Sequence, residues 1–150
     1  MSVFVDKNIT FDVSFFYEEI YDGINQIGIK ILKEESDNSK FIKCTFRLAD
    51  YNEMSSIREE CSAINHRNEK AMLWLRFFRS KVIEMLCIDW NLVFEPGDPD
   101  FSSDDESDNR IPITANNISK MHEPLIVAII NQWAEKVGQV KKNDTDIQNK

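Results

Sequence analysis

Apolar and polar positions alternate most regularly in two stretches near the N-terminus. Ile27, Ile29 and Ile31 alternate with Gly28, Lys30 and Leu32, and Ile42, Cys44, Phe46 and Leu48 alternate with Lys43, Thr45 and Arg47. A period of two sends successive side chains to opposite faces, so each stretch predicts a strand with one buried face. The polar run Glu34 to Ser39 between them supplies turn residues, and the pair predicts a β-hairpin. Residues 9–21 mix β-branched and aromatic side chains in an order, FF-Y-EEIY, that suits either a strand or a short amphipathic helix.

Beyond residue 50 the period lengthens. Asp50 can cap a helix and Glu53 lies three residues on, the spacing at which a carboxylate reaches back to the cap's own N–H. A helix from about Tyr51 to His66 is predicted, with Met54, Ile57, Cys61 and Ile64 on its apolar face. A second, from about Glu69 to Trp90, contains no Gly or Pro. It carries Met72, Leu75, Phe78, Val82, Met85 and Leu86 on one face, widened by Leu73, Trp74, Phe77, Ile83 and Ile88. The polar remainder between the apolar positions is a narrow stripe, Arg76, Arg79, Lys81 and Glu84, so this helix either runs through the middle of the domain or offers a second apolar face to a partner.

The segment from Glu95 to Asn109 has seven acids, two prolines and no basic residue, which predicts a solvated, mobile loop. Thr114 is a plausible N-cap for a short helix over Ala115 to Met121. Pro124 suits the first position of a last helix, where its missing N–H costs nothing, and Gly138 suits that helix's end. Leu125, Ile129, Trp133 and Val137 form its core face. The expected fold is α+β, mostly α: an N-terminal β-hairpin followed by a bundle of three to four helices with a mobile acidic loop. Residues 1–140 form one domain and 141–150 a flexible tail.

Composition narrows the function. A chain of 150 residues, 42% hydrophobic, can fill one core. Its net charge of −8 repels phosphate backbones and anionic lipid headgroups, so neither nucleic acid nor membrane is an expected partner. There is no basic segment leading into an apolar leader and no long uncharged apolar window, and a cytoplasmic protein is expected, in host cytoplasm if viral. Cys44, Cys61 and Cys87 are odd in number, widely spaced and set among apolar neighbours; they read as reduced core thiols.

Candidate chemistry is sparse. His66 falls at a helix end and His122 in the Met-His-Glu-Pro junction; both suit capping better than proton transfer. Asp98, Asp100, Ser102 and Asp104 alternate as calcium ligands do, yet an EF-hand loop would need Gly at Ser103 and Glu at Asn109. Acids crowded in a loop without an apolar pocket have little to raise a pKa. Four glycines permit neither GxGxxG nor GxxxxGK[ST]. No enzyme activity, cofactor or metal is therefore expected. The Arg76, Arg79, Lys81 stripe interleaved with Trp74 and Phe77 is read as ordinary helix surface before nucleic-acid face. The residues expected to bind protein are large aromatics: Trp74, Phe77, Phe78, Trp90 and Trp133.

The C-terminal half has an ordered series: a long helix, Asp89-Trp90, a short extended Leu-Val-Phe, an acidic loop, Ile111-Pro112-Ile113-Thr114, Asn117-Ile118, then a closing helix. This series, over about residues 44–137, resembles the tail assembly chaperones of tailed bacteriophages, in which a Trp-containing segment and a loop precede a P-(I/F)-T-x-x-N helix start. The acidic loop is longer than in that family, and residues 1–40 match no family. The resemblance implies a helix-rich protein, absent from the finished virion, that coats the tape-measure protein and recruits tail-tube subunits; self-association is left open. The rival reading is an acidic regulatory or inhibitory protein that occupies a basic host surface, Asp98 to Asp108 imitating phosphate spacing.

Overall fold

The computed structural model describes residues 2–68, 71–98 and 109–138, without the side chains of residues 62–68 and 71–73. The elements run β1 (Thr10–Asp22), β2 (Asn25–Leu32), β3 (Lys40–Arg47), α1 (Tyr51–Asn68), α2 (Ala71–Leu86), β4 (Cys87–Trp90), α3 (Ala115–Ile118) and α4 (Glu123–Val137). The strands form one antiparallel sheet in the order β2-β1-β3-β4.

This corrects the expected hairpin followed by a helical bundle, because the organising element is a four-stranded sheet and the chain is not mostly helical. Residues 9–21, readable either way, are the longest strand. Val13 and Phe15 are buried, Phe11 and Tyr17 half-buried on the same face, and Asp12 and Ser14 exposed on the other. The stretches at 27–32 and 42–47 are strands but do not pair with each other. β1 lies between them, joined to β2 through a tight turn in which Gly23 takes φ 63°, a conformation open to glycine without steric cost. Periodicity gave the buried face of β3 and of Ile29 and Ile31 in β2, but not Ile27, which is exposed where the β1–β2 register slips, and it left the neighbours undetermined.

The long apolar helix is also shorter than expected. It stops at Leu86, and Cys87 to Trp90 leave it to pair with β3, Cys44 opposite Trp90 and Phe46 opposite Cys87. Asn91 extends that edge: its side chain donates to the Phe41 carbonyl (2.9 Å) and accepts the Lys43 N–H (3.0 Å). The helix starts follow their local signals. Asp50 Oδ1 accepts the Glu53 N–H at 2.9 Å while Glu53 Oε1 accepts the Asp50 N–H at 3.4 Å, the reciprocal cap. Thr114 Oγ1 accepts the Asn117 N–H, His122 occupies the N-cap position of α4, and Gly138 closes α4 in the left-handed region.

One core joins the inner sheet face to α1, α2 and α4, with Ile42, Phe46, Ile57, Ile83 and Ile129 fully enclosed. The other sheet face carries no buried residue; Phe16 and Phe41 touch there, ring centroids 5.2 Å apart, with Leu32 opposite Phe16 on its other side. All three cysteines are free and buried. Cys44 and Cys87 meet across β3 and β4, where a hydrogen bond between them together with burial pushes the Cys44 thiol up. No helix among the described residues is long and apolar enough to cross a membrane. His66's side chain, most of the 95–109 loop and the 141–150 tail lie outside the described residues.

Candidate functional site

The aromatic residues expected to bind protein separate into two groups. Trp90 and Trp133 are 2% and 3% exposed and belong to the core. Trp90 also has a structural task for its polar edge, as its indole N–H donates to the Ile111 carbonyl at 2.7 Å. That bond holds the Ile111 to Thr114 segment against the sheet. Beside it, Ile111 N–H donates to the Leu92 carbonyl and Phe94 N–H to the Asn109 carbonyl, so the two feet of the acidic segment are paired.

Trp74 and Phe78 are half-buried. Their rings stack at 5.2 Å, and Phe78 meets the edge of Trp133 at 6.4 Å, so a continuous aromatic column runs from α2 into α4. Phe77, turned away from that column, is 43% exposed. It borders a groove of about 550 Å³ between α2 and the α3–α4 pair. Ile118, Met121, Ile126 and Val127 give the groove its apolar lining.

Charge is distributed unevenly along the groove's α2 wall. Lys81 is held by Glu60 at 3.0 Å and Glu84 at 3.5 Å, and the bond to Glu60 leads in raising its pKa. Glu84 in turn accepts the Ala115 N–H at 3.0 Å, which ties α3 to α2. Arg76 and Arg79, one turn apart and both lining the groove, make no ion pair among the described residues. Lys7, Lys40, Lys43, Arg47 and Arg110 each have a carboxylate partner, whereas these two guanidiniums on the groove wall have none among the described residues.

A smaller cleft of about 320 Å³ lies between β1–β2 and the Leu92 to Asp98 segment, with Tyr17, Glu19, Lys120 and His122 among its lining. Burial pushes the Tyr17 phenol up, opposed by nearby Lys40, which is itself clamped between Glu19 and Glu95 at 2.8 and 2.9 Å. Among the described residues no three His, Cys, Asp or Glu side chains gather as metal ligands would.

Sequence reasoning identified the helix that forms one wall of the groove. It missed the other wall, Ile118 to Val127, because the apposition of α3 and α4 against α2 depends on the sheet. The polar stripe on α2 was visible; that Lys81 pairs with carboxylates while Arg76 and Arg79 pair with none among the described residues could be learned only from where Glu60 and Glu84 fall. No protein-family model, curated protein or solved structure matches the chain.

Proposed function

We propose that the protein is a non-enzymatic binding protein whose α2/α3–α4 groove receives an amphipathic helix of another protein. The observation that carries this reading is a half-exposed Phe77 beside an apolar groove whose α2 wall bears two guanidiniums that make no ion pair among the described residues. An apolar trough excludes water from an aromatic anchor, and Arg76 and Arg79 would meet carboxylates on the incoming helix. The −8 net charge argues against nucleic acid as the anionic partner.

The resemblance over residues 44–137 supplies the biological role: a phage tail assembly chaperone that holds the tape-measure protein and tail-tube subunits during assembly. It rests on the Asp89-Trp90 and Pro112-Ile113-Thr114 series, since the sheet departs from the helix-rich chain the resemblance implies. The experiment is co-purification of the tagged full chain from phage-producing cells, beside a Phe77→Arg variant. Recovery of tape-measure or tube protein with the parent, and its loss with the variant at unchanged thermal stability, is expected. Recovery of neither from the parent would refute the chaperone role, and equal recovery by both would refute the groove.

A further inference from the structure

We propose that the groove between α2 and the α3–α4 pair binds a dissolved long-chain carboxylate, its acyl chain in the trough and its carboxylate between Arg76 and Arg79. The inference rests on the reading of this groove as a docking site, and it names a small-molecule class that competes there with a partner helix.

The groove's charge departs from that of the whole chain. Its lining has three basic side chains, Arg76, Arg79 and Lys81, and two acidic ones, Glu84 and Glu123, in a molecule of net charge −8. Position sharpens the contrast. Lys81 and Glu84 lie 3.5 Å apart and offset each other, and Glu84 also accepts the Ala115 N–H. Glu123 is exposed in the first turn of α4, where the helix dipole favours a carboxylate without a basic partner. Arg76 and Arg79 therefore stand apart at the other end of the α2 wall, with no carboxylate partner among the described residues. Residues three apart on a helix have Cβ atoms about 5–6 Å from each other, so two long guanidinium side chains there reach one carboxylate between them. Arg79 is half-buried, and an anion beside it is screened less than at an open surface.

The rest of the groove suits an elongated apolar body. Ile118 and Ile126, 3% and 9% exposed, form its floor, and Phe77 stands at its rim. Met121 adds an unbranched thioether, a side chain that adjusts to the shape of what it covers. The volume of about 550 Å³ falls within the roughly 300–1,000 Å³ of small-molecule sites. From Arg76 to Glu84 the α2 wall runs about 12 Å, with the free positive charge at one end only.

A fatty acid carries those features in the same order, a single anion and then a flexible apolar chain. Bilayer headgroups are held off by the net charge, whereas a dissolved anion meets the local guanidinium pair. An amphipathic helix offers the groove the same two features on a larger scale, an apolar row and a carboxylate. The two occupants therefore exclude each other.

The test is titration of the purified full chain with decanoate, 1-decanol and decyltrimethylammonium, followed by calorimetry and by backbone amide chemical shifts. One decanoate per chain is expected, with shifts centred on Phe77, Ile118 and Ile126. Its binding should be at least about tenfold tighter than that of decanol or decyltrimethylammonium, the increment of a charge-assisted hydrogen bond. Octanoate, two methylenes shorter, should bind roughly tenfold more weakly than decanoate. In the double variant Arg76→Gln, Arg79→Gln, decanoate should fall to within about twofold of decanol, with decanol binding retained as the sign that the trough is still formed. No saturable decanoate binding, equal affinity of the parent for decanol, or an undiminished preference for decanoate in the double variant overturns the proposal. Decanoate is measured on the isolated chain, so it fails separately from the co-purification: binding without a recovered protein partner removes the helix and keeps the ligand, and a partner without decanoate binding removes the ligand.

Discussion

α2 and α4 are nearly equal in length, 16 and 15 residues, and both are apolar, yet they are used differently. α4 buries Leu125, Ile126, Ile129, Ile130, Trp133 and Ala134, a stripe along its whole course. Among α2's described side chains, the buried ones are Val82, Ile83 and Leu86, all towards its C-terminal end, while Trp74 to Phe77 are half-buried or exposed. Apolar content alone therefore does not say what a helix is for. One helix places its hydrophobic surface against the sheet, and the other divides it between the core and a groove open to solvent.

The contrast can be broken first at α4. Trp133→Ala removes an enclosed ring that also supports Phe78, and a loss of about 3–5 kcal/mol in unfolding free energy is expected by denaturant titration. A loss under about 1 kcal/mol would mean that α4 is not the anchoring helix. Next, Ile83→Ala in the buried end of α2 should cost about 2–4 kcal/mol by the same measurement, showing that this half of α2 belongs with α4.

A smaller effect is expected where the sheet meets the helices. Glu53 accepts both guanidinium N–H groups of Arg47, at 3.0 and 2.6 Å, and Lys7 lies 3.1 Å away. The Arg47 bond leads in holding the Glu53 carboxyl at about 2. Because the folded pKa is below the unfolded value of about 4.3, this contribution is complete above that pH and lost as pH falls towards 2. Glu53→Gln should lower stability by about 1–2 kcal/mol at neutral pH, and the deficit should shrink on acidification through that window. A deficit that does not change with pH would assign the loss to the helix cap alone.

The smallest expected change is at the open end of α2. Phe77→Arg should alter stability by no more than about 0.5–1 kcal/mol, measured by thermal melting. A loss comparable with that of Ile83→Ala would place Phe77 in the core and close the distinction between the two ends of the helix.

Local signals were legible in the sequence wherever the physics is local. The Asp50–Glu53 cap, Thr114, Gly138 and the apolar faces of α1 and α4 all follow from side chains within one or two turns of each other. Partnership between strands was not legible. β2 and β3 show the alternation of a hairpin, but both pair with β1, whose Phe15-Phe16-Tyr17 run blurs its own alternation. Likewise nothing between Leu86 and Trp90 stops a helix locally; pairing with β3 draws those residues into the sheet. For the candidate site the same division holds, since Phe77 could be named from composition whereas its exposure depends on α3 and α4.

The paired feet of the acidic segment have a consequence for how the chain tolerates change in length. Leu92 to Phe94 and Asn109 to Ile111 are joined to each other by backbone hydrogen bonds, and Trp90 fastens the second foot from below. The span between them can therefore be lengthened without moving either anchor. Doubling the length of chain between two fixed anchors adds only about 0.6 kcal/mol of closure cost, so this is where a reporter domain or an affinity tag can be inserted with the groove left as it is.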